Sequence, residues 1–301
     1  MSDTPTIAVF TKNRINPAYG GARLAADRTA ARFGARTVHY VPETPDDADE
    51  QIALVDQALA ARPAAIAFNP AHPTKINDAV RRINLAGVPL VNFINRLTAG
   101  DSVCFVGADD HALAAKVATR LFDQLGGSGV VAILEGPAGV ATSVARVRGF
   151  RDAAARCPGI RIAATACGAL LHEPGQRATA ALLADQPRLD GILAANDLMA
   201  TGAIAALEAA GRTSLVVGVN ALPEAIDAIK RGTMLATADF DAYKLAAVAT
   251  EAALRHLRGE TVPREILLPV QVVDQTNYAP WDKPMDAREA PRWEDVVGSG
   301  G

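Results

Sequence analysis

A chain of 301 residues, half of them apolar, is long enough to bury two cores of ordinary domain size. A formal net charge of −3, with lysines and arginines scattered along the chain, excludes a broad basic surface for nucleic acid. No apolar run reaches the roughly 18 residues that a membrane-spanning helix needs.

In chain order, apolar runs rich in β-formers predict strands over 6–12, 36–41, 64–69, 88–95, 102–108, 129–135, 160–168, 190–196, 214–220 and 234–240. Several are apolar without interruption, as strands covered on both faces are. Between them lie helical patterns, among them 17–33, 46–61, 73–86, 108–125, 141–157, 198–210 and 241–258. Gly34, Gly87, Gly211 and Gly232 stand where helices should stop, and Asp110, Thr142 and Asp197 where they should be capped. This alternation predicts an α/β chain of doubly wound parallel sheets.

Near 95–108 the alternation breaks, because two strands follow each other with only a short polar turn. A similar direct passage comes at 233–240, ahead of the long helix 241–258. Two lobes with the chain crossing between them are therefore expected. The first holds 5–107 plus 238–264, and the second 108–237 plus a returning strand over 265–274. The remainder, 275–301, is punctuated by Pro280, Pro284 and Pro291 and carries both tryptophans, Trp281 and Trp293. It reads as a tail laid along the surface and anchored by its indoles, with the last Gly/Ser residues disordered.

Motifs of catalysis are missing. GxxxxGK[ST], a strand-to-helix GxGxxG, GxSxG and HExxH do not occur. Gly136–Gly139 follows a strand and could hold an anion at a helix start, but a tight turn explains it better. The histidines (His39, His72, His111, His172 and His256) share no local motif, and only His72 follows a strand end of interest. Cys104, Cys157 and Cys167 have no metal-binding spacing. Cys157 and Cys167 are expected at opposite edges of a sheet, beyond disulfide reach, so all three should be free thiols. Neither an enzyme, a metal nor a cofactor is indicated. The N-terminus enters the first strand without a basic and apolar leader, so either the protein is cytoplasmic or a leader has been removed.

Polar residues crowd five strand ends: Thr-Lys-Asn-Arg-Ile-Asn-Pro at 11–17, Phe-Asn-Pro at 68–70, Ile-Asn-Arg at 94–96, Ala-Asn-Asp at 195–197 and Gly-Val-Asn at 218–220. In open parallel sheets the carboxyl ends of the strands face the ligand crevice. Amides gathered there suit a polar small molecule. These motifs, their order and the run Ala-Asn-Asp-Leu-Met-Ala-Thr-Gly-Ala resemble the periplasmic sugar-binding proteins of ABC importers, the ribose-binding type, from about Thr6 to Gln275. The resemblance implies the type I periplasmic binding protein fold, two lobes joined by a three-segment hinge. It also implies a periplasmic, monomeric protein whose leader has been removed, and closure of the lobes on a sugar, polyol or sugar acid for delivery to a membrane permease. A sensor for a signalling partner is the alternative, and a repressor is disfavoured because no helix-turn-helix precedes the first strand.

Carried over by position, the family's contacts fall at Asn16 and Tyr19, with Thr11 or Lys12 just before, and at Asn69, Asn95 and Arg96 in the first lobe. In the second they fall at Arg146, Asn196, Asn220 and Phe240, with Leu170 or His172 as a cover. Asn196 could also be only a helix cap and Arg146 could pair with an acid on a neighbouring helix, whereas Asn16 and Asn95–Arg96 are harder to explain structurally. Pentose-binding relatives have aspartates at Asn95 and Asn220, a glutamine at Phe240 and an aromatic at Ala18. Losing two carboxylates while keeping Arg96 and Arg146, with Lys12 as a possible addition, predicts a positive pocket and a ligand bearing a carboxylate or at least several acceptor oxygens. If Asp109, Asp197 or Asp239 supplies the charge, a neutral sugar or polyol fits instead.

Overall fold

The computed structural model describes residues 4–284 and 287–297; the final Gly/Ser residues at 298–301, expected above to be disordered, lie outside them. The chain first lays down β1 (Thr6–Phe10), α1 (Pro17–Arg32), β2 (Arg36–Tyr40), α2 (Ala48–Ala60), β3 (Ala65–Phe68), α3 (Asn77–Leu85), β4 (Leu90–Phe93) and β5 (Cys104–Gly107). It continues through α4 (Asp110–Gln124), β6 (Ser128–Glu135), α5 (Ala141–Ala155), β7 (Gly159–Cys167), α6 (His172–Asp185), β8 (Gly191–Ala194), α7 (Asp197–Ala209), β9 (Leu215–Val219), α8 (Pro223–Arg231) and β10 (Ala236–Ala238). Last come α9 (Ala242–Leu257), β11 (Glu265–Leu267), β12 (Val272–Asp274) and α10 (Trp293–Val297).

Two compact units result. One runs to Ala108 and takes in Asp241–Leu268 and the described residues from 287; the other comprises Asp109–Phe240 and Pro269–Pro284. The first sheet has the order β11-β5-β4-β3-β1-β2 and the second β12-β10-β9-β8-β6-β7. Among the described residues all pairings are parallel except β10 with β12. The fold is thus the pair of doubly wound sheets that the alternation of runs predicted. In both sheets the inner strands β3, β4, β8 and β9 are buried along nearly their whole length, which their apolar runs reflect.

Three sequence expectations need correction. The single returning strand over 265–274 is two strands: β11 pairs with β5 in the first sheet, and β12 pairs with β10 in the second. Pro269 lacks a backbone N–H and restricts Leu268, so no ladder can run through both segments. The helix caps sit one or two residues early. Asp109 rather than Asp110 accepts from Ala112 N, Asn196 rather than Asp197 accepts from Met199 N, and Val140 takes the place expected of Thr142. The passage between units follows Phe240 instead of 238, because Asp241 opens α9 by accepting from Tyr243 N and Lys244 N. Two further helices, α6 and α8, fill intervals for which no helical pattern was named. Gly232 ends α8 in the left-handed conformation at φ 75°, as its place in the sequence suggests.

Helices approach closely where glycine permits. A Cβ on Gly149 of α5 would lie 2.3 Å from the His111 carbonyl of α4, and one on Gly202 of α7 2.2 Å from the His172 carbonyl of α6. The tail is laid down on both units. Trp281 is buried in the second unit, where Lys230 Nζ bonds to Asp282 (3.0 Å), whereas Trp293 lies under the Arg255 guanidinium at 4.8 Å. The three cysteines are free. Among the described residues no helix is long and apolar enough to cross a membrane.

Candidate functional site

In the first sheet the strand order reverses between β1 and β3, the place where open α/β sheets hold ligands. The residues that leave these two strands are Lys12–Asn13 and Asn69. Lys12 is buried and pairs with Asp46 at 3.6 Å. Burial works against its charge, but the neighbouring Tyr19 and Asp46 outweigh that and hold the ammonium above its ordinary pKa. Thr11 accepts from Arg23 Nη1 at 2.9 Å. Asn13, which the sequence reading passed over, is also buried: its Oδ1 accepts from Asn16 N (2.9 Å) and its Nδ2 donates to Asp46 (3.2 Å). Asn16 is the N-cap of α1, its Oδ1 accepting from Ala18 N at 2.9 Å. The structural role that seemed hard to find for Asn16 is therefore this cap.

Asn69 is different. It is wholly buried, and neither its Oδ1 nor its Nδ2 has a hydrogen-bond partner among the described residues. Its backbone is fixed: Asn69 N donates to Phe10 O (3.2 Å) and Gln51 Nε2 donates to Asn69 O (3.0 Å), while Gln51 Oε1 accepts from Ala71 N. Buried amides left unpaired are rare in folded proteins.

Beyond β4, Ile94 adopts φ 64°, a left-handed conformation that a β-branched residue seldom tolerates. The turn is clasped by buried Asn92, whose Nδ2 donates to Phe68 O (3.0 Å) and Asn95 O (2.7 Å) and whose Oδ1 accepts from Leu97 N (3.0 Å). Asn95 Nδ2 donates to Pro70 O at 3.2 Å, leaving its buried Oδ1 without a partner among the described residues. Arg96 is half-exposed, ion-paired with Glu265 and stacked on the Phe105 ring at 3.8 Å. It has a structural role after all, tying the β4 turn to β11.

In the second unit, Arg146 projects from α5 and is buried. Its Nε donates to Asp110 Oδ1 (2.8 Å), its Nη1 to Ala195 O (2.8 Å) and to Asn220 Oδ1 (3.1 Å), and its guanidinium lies over Phe240 at 4.8 Å. Asn196 caps α7 and donates from Nδ2 to Leu170 O at 2.9 Å, so both ends of its amide serve the loop. Leu170 packs on Gly136, where a Cβ would come within 2.7 Å of Leu170 Cγ, whereas His172 is exposed at the start of α6. Gly136 N donates to Ser143 Oγ (2.8 Å), in keeping with a tight turn. His72 is likewise local, its Nδ1 accepting from Thr74 N and Lys75 N.

Asn220 follows β9 at φ 131° and Ala221 at φ 49°. This turn is held by buried Asp197, which accepts from Leu222 N (2.8 Å) and Thr237 Oγ1 (2.7 Å). Burial pushes the Asp197 carboxyl up to about 7, against the pull of those two donors and of Arg146.

Each cation expected to be unpaired has an acid: Asp46 for Lys12, Glu265 for Arg96 and Asp110 for Arg146. The premise of an uncompensated positive pocket fails, and the acids that make these pairs are not the three weighed from sequence. The pairing of Arg146 with an acid on a neighbouring helix, left open from the sequence, is made by Asp110, which the sequence had placed as a cap.

Two parallel α/β units, each collecting amides and an aromatic or guanidinium at its strand ends, define the class of two-domain solute-binding proteins. Residues 7–261 match the periplasmic binding protein domain, and the chain belongs to that family. It is 31% identical over 287 residues to the D-ribose/D-allose-binding protein of Pseudomonas aeruginosa, covering 90% of this chain and 89% of that one. Among solved structures it is similar to an ABC transporter periplasmic solute-binding protein from Actinobacillus succinogenes with bound D-allose (TM-score 0.87, 31% identity, 91% and 98% covered). Another is a solute-binding protein from Mycobacterium smegmatis with bound glycerol (TM-score 0.87, 28% identity, 95% and 100% covered).

Proposed function

We propose that this protein captures a small neutral polyhydroxylated compound, a sugar or polyol, and delivers it to the permease of an ABC importer, acting as a monomer outside the cytoplasmic membrane. The observation that carries this reading is Asn69, a fully buried amide with an unpartnered donor and an unpartnered acceptor at a sheet's switch point. Hydroxyl groups can fill both at once, since each donates and accepts. Asn95 Oδ1 and the Asn220 amide add further contacts, and Phe240 offers an apolar face to a sugar ring. Lys12 and Tyr19 line the β1 end, and Asn16, Arg96, Arg146 and Asn196 hold the loops in place. The neutrality of the ligand follows from the acids on Lys12, Arg96 and Arg146, which leave none of these three cations for a carboxylate to compensate.

Thermal-shift screening followed by calorimetry tests it, with D-ribose, D-allose, myo-inositol and glycerol set against D-ribonate, D-allonate and D-glycerate. A shift with at least one neutral compound is expected, lost in Asn69→Ala. Stabilisation by aldonates alone, or by nothing in the panel, would overturn the reading.

A further inference from the structure

Asn95 and Asn220 are the same amino acid, and both stand at strand ends, yet their surroundings leave opposite ends of the amide available. An amide's two ends are told apart by their partners, and here the partners are unambiguous. A guanidinium only donates, so the atom of Asn220 that meets Arg146 Nη1 at 3.1 Å must be Oδ1. Flipping the amide would set N–H against N–H. Nor can Arg146 turn away to permit it: Nε is held by Asp110 at 2.8 Å, Nη1 by the Ala195 carbonyl at 2.8 Å, and one face is covered by the Phe240 ring. The backbone is fixed as well, with Asn220 N donating to Ala238 O at 2.9 Å and Asp197 clamping the residues that follow. Among the described residues nothing accepts from Asn220 Nδ2. By the same logic a carbonyl only accepts, so the Asn95 atom on Pro70 O is Nδ2, and what Asn95 leaves over is an acceptor.

The geometry points to Asn220 as a donor-only contact that selects, at one position of the ligand, an oxygen acting purely as acceptor. The inference rests on the neutral-sugar reading and refines it. The hydrogen of the hydroxyl at that position is dispensable: a ring oxygen, a carbonyl or a fluorine can take the place. An aspartate there would reverse the rule. One carboxylate oxygen would stay on Arg146 and the other would demand a donor from the ligand, so an exchange of a single atom type at 220 inverts the selection without changing the shape of the site.

Monodeoxy and monodeoxyfluoro analogues of D-ribose, D-allose and myo-inositol, titrated calorimetrically, test it. Fluorine keeps a weak acceptor and removes the O–H; deoxygenation removes both. For wild type, one position is expected at which the fluoro analogue binds within about threefold of its parent while the deoxy analogue loses about tenfold or more. In Asn220→Asp, the parent-to-fluoro affinity ratio at that position is expected to rise by about tenfold. Loss of affinity with every fluoro analogue in wild type, or an unchanged ratio in the variant, overturns the assignment. The wild-type series stands without the variant. A wild type that binds neither these three parents nor glycerol refutes the neutral-sugar reading itself, whereas a parent that binds with no tolerated fluoro position refutes only the role of Asn220.

Discussion

Replacing Asp197 with asparagine should change how the stability of this protein depends on pH. The carboxyl is almost completely buried and its pKa is pushed up to about 7, first by loss of hydration, with the Leu222 N–H, the Thr237 hydroxyl and Arg146 pulling the other way. In the unfolded chain an aspartate titrates near 3.9. Between those two values the native state binds a proton that the unfolded state has released, so stability falls as pH rises. Below the unfolded pKa the group's contribution is fully present; above about 7 it is gone. The interval is about three pH units at roughly 1.4 kcal/mol each, so about 4 kcal/mol is lost across it. The amide of the variant would carry no such dependence. Urea unfolding of wild type and Asp197→Asn at half-unit steps from pH 4.5 to 7.5 should therefore give curves that converge or cross, the variant gaining on wild type by about 3 kcal/mol as pH rises. Parallel curves would show that Asp197 is ionised throughout and that burial does not govern its titration.

Asn69→Leu, which is close in shape, should stabilise the ligand-free protein by about 1–2 kcal/mol, because it removes two buried polar groups without partners, and should abolish sugar binding. Chemical denaturation beside calorimetry checks both halves, and a destabilised variant would contradict the account of Asn69. Asp110→Asn leaves the Arg146 guanidinium buried without its acid, and should cost about 3 kcal/mol in denaturant melts while admitting aldonates that wild type rejects. Among the thiols, Cys167 is exposed, whereas Cys104 is buried and pushed up to about 12 by loss of hydration and by Glu265. At pH 8, a disulfide reagent should label Cys167 rapidly and Cys104 only after unfolding; early modification of Cys104 by peptide mapping would refute its burial.

Much of this architecture can be read from the chain because its causes are local. The apolar runs at 64–69, 190–196 and 214–220 became β3, β8 and β9, trimmed to the stretch that has ladder partners. Pairings across long sequence distances were not legible. Nothing near Arg146 announces Asp110, 36 positions away, and nothing near Asn69 announces Gln51. Adjacent candidates also defeated the sequence. In Asp109–Asp110 and in Asn196–Asp197, either side chain can cap a helix, and only the backbone path decides which one does. One signal was available and unused. Asn92 interrupts the apolar run Leu-Val-Asn-Phe, and an amide inside a covered strand must bond to neighbouring backbone, as Asn92 does on both sides of its turn.

The backbone at Ile94 bears on how recognition in such a protein could be redesigned. A left-handed isoleucine costs of order 1–3 kcal/mol, and the chain meets that cost through the ladder bond from Ile94 N to Val106 O and the clasp of Asn92. The direction in which position 95 points is thus set by the main chain and its buried supports, not by the side chain that happens to occupy it. New specificities should be sought by exchanging the group carried at 95 while leaving 92 and 94 untouched, since altering the support would re-aim every substituent at once.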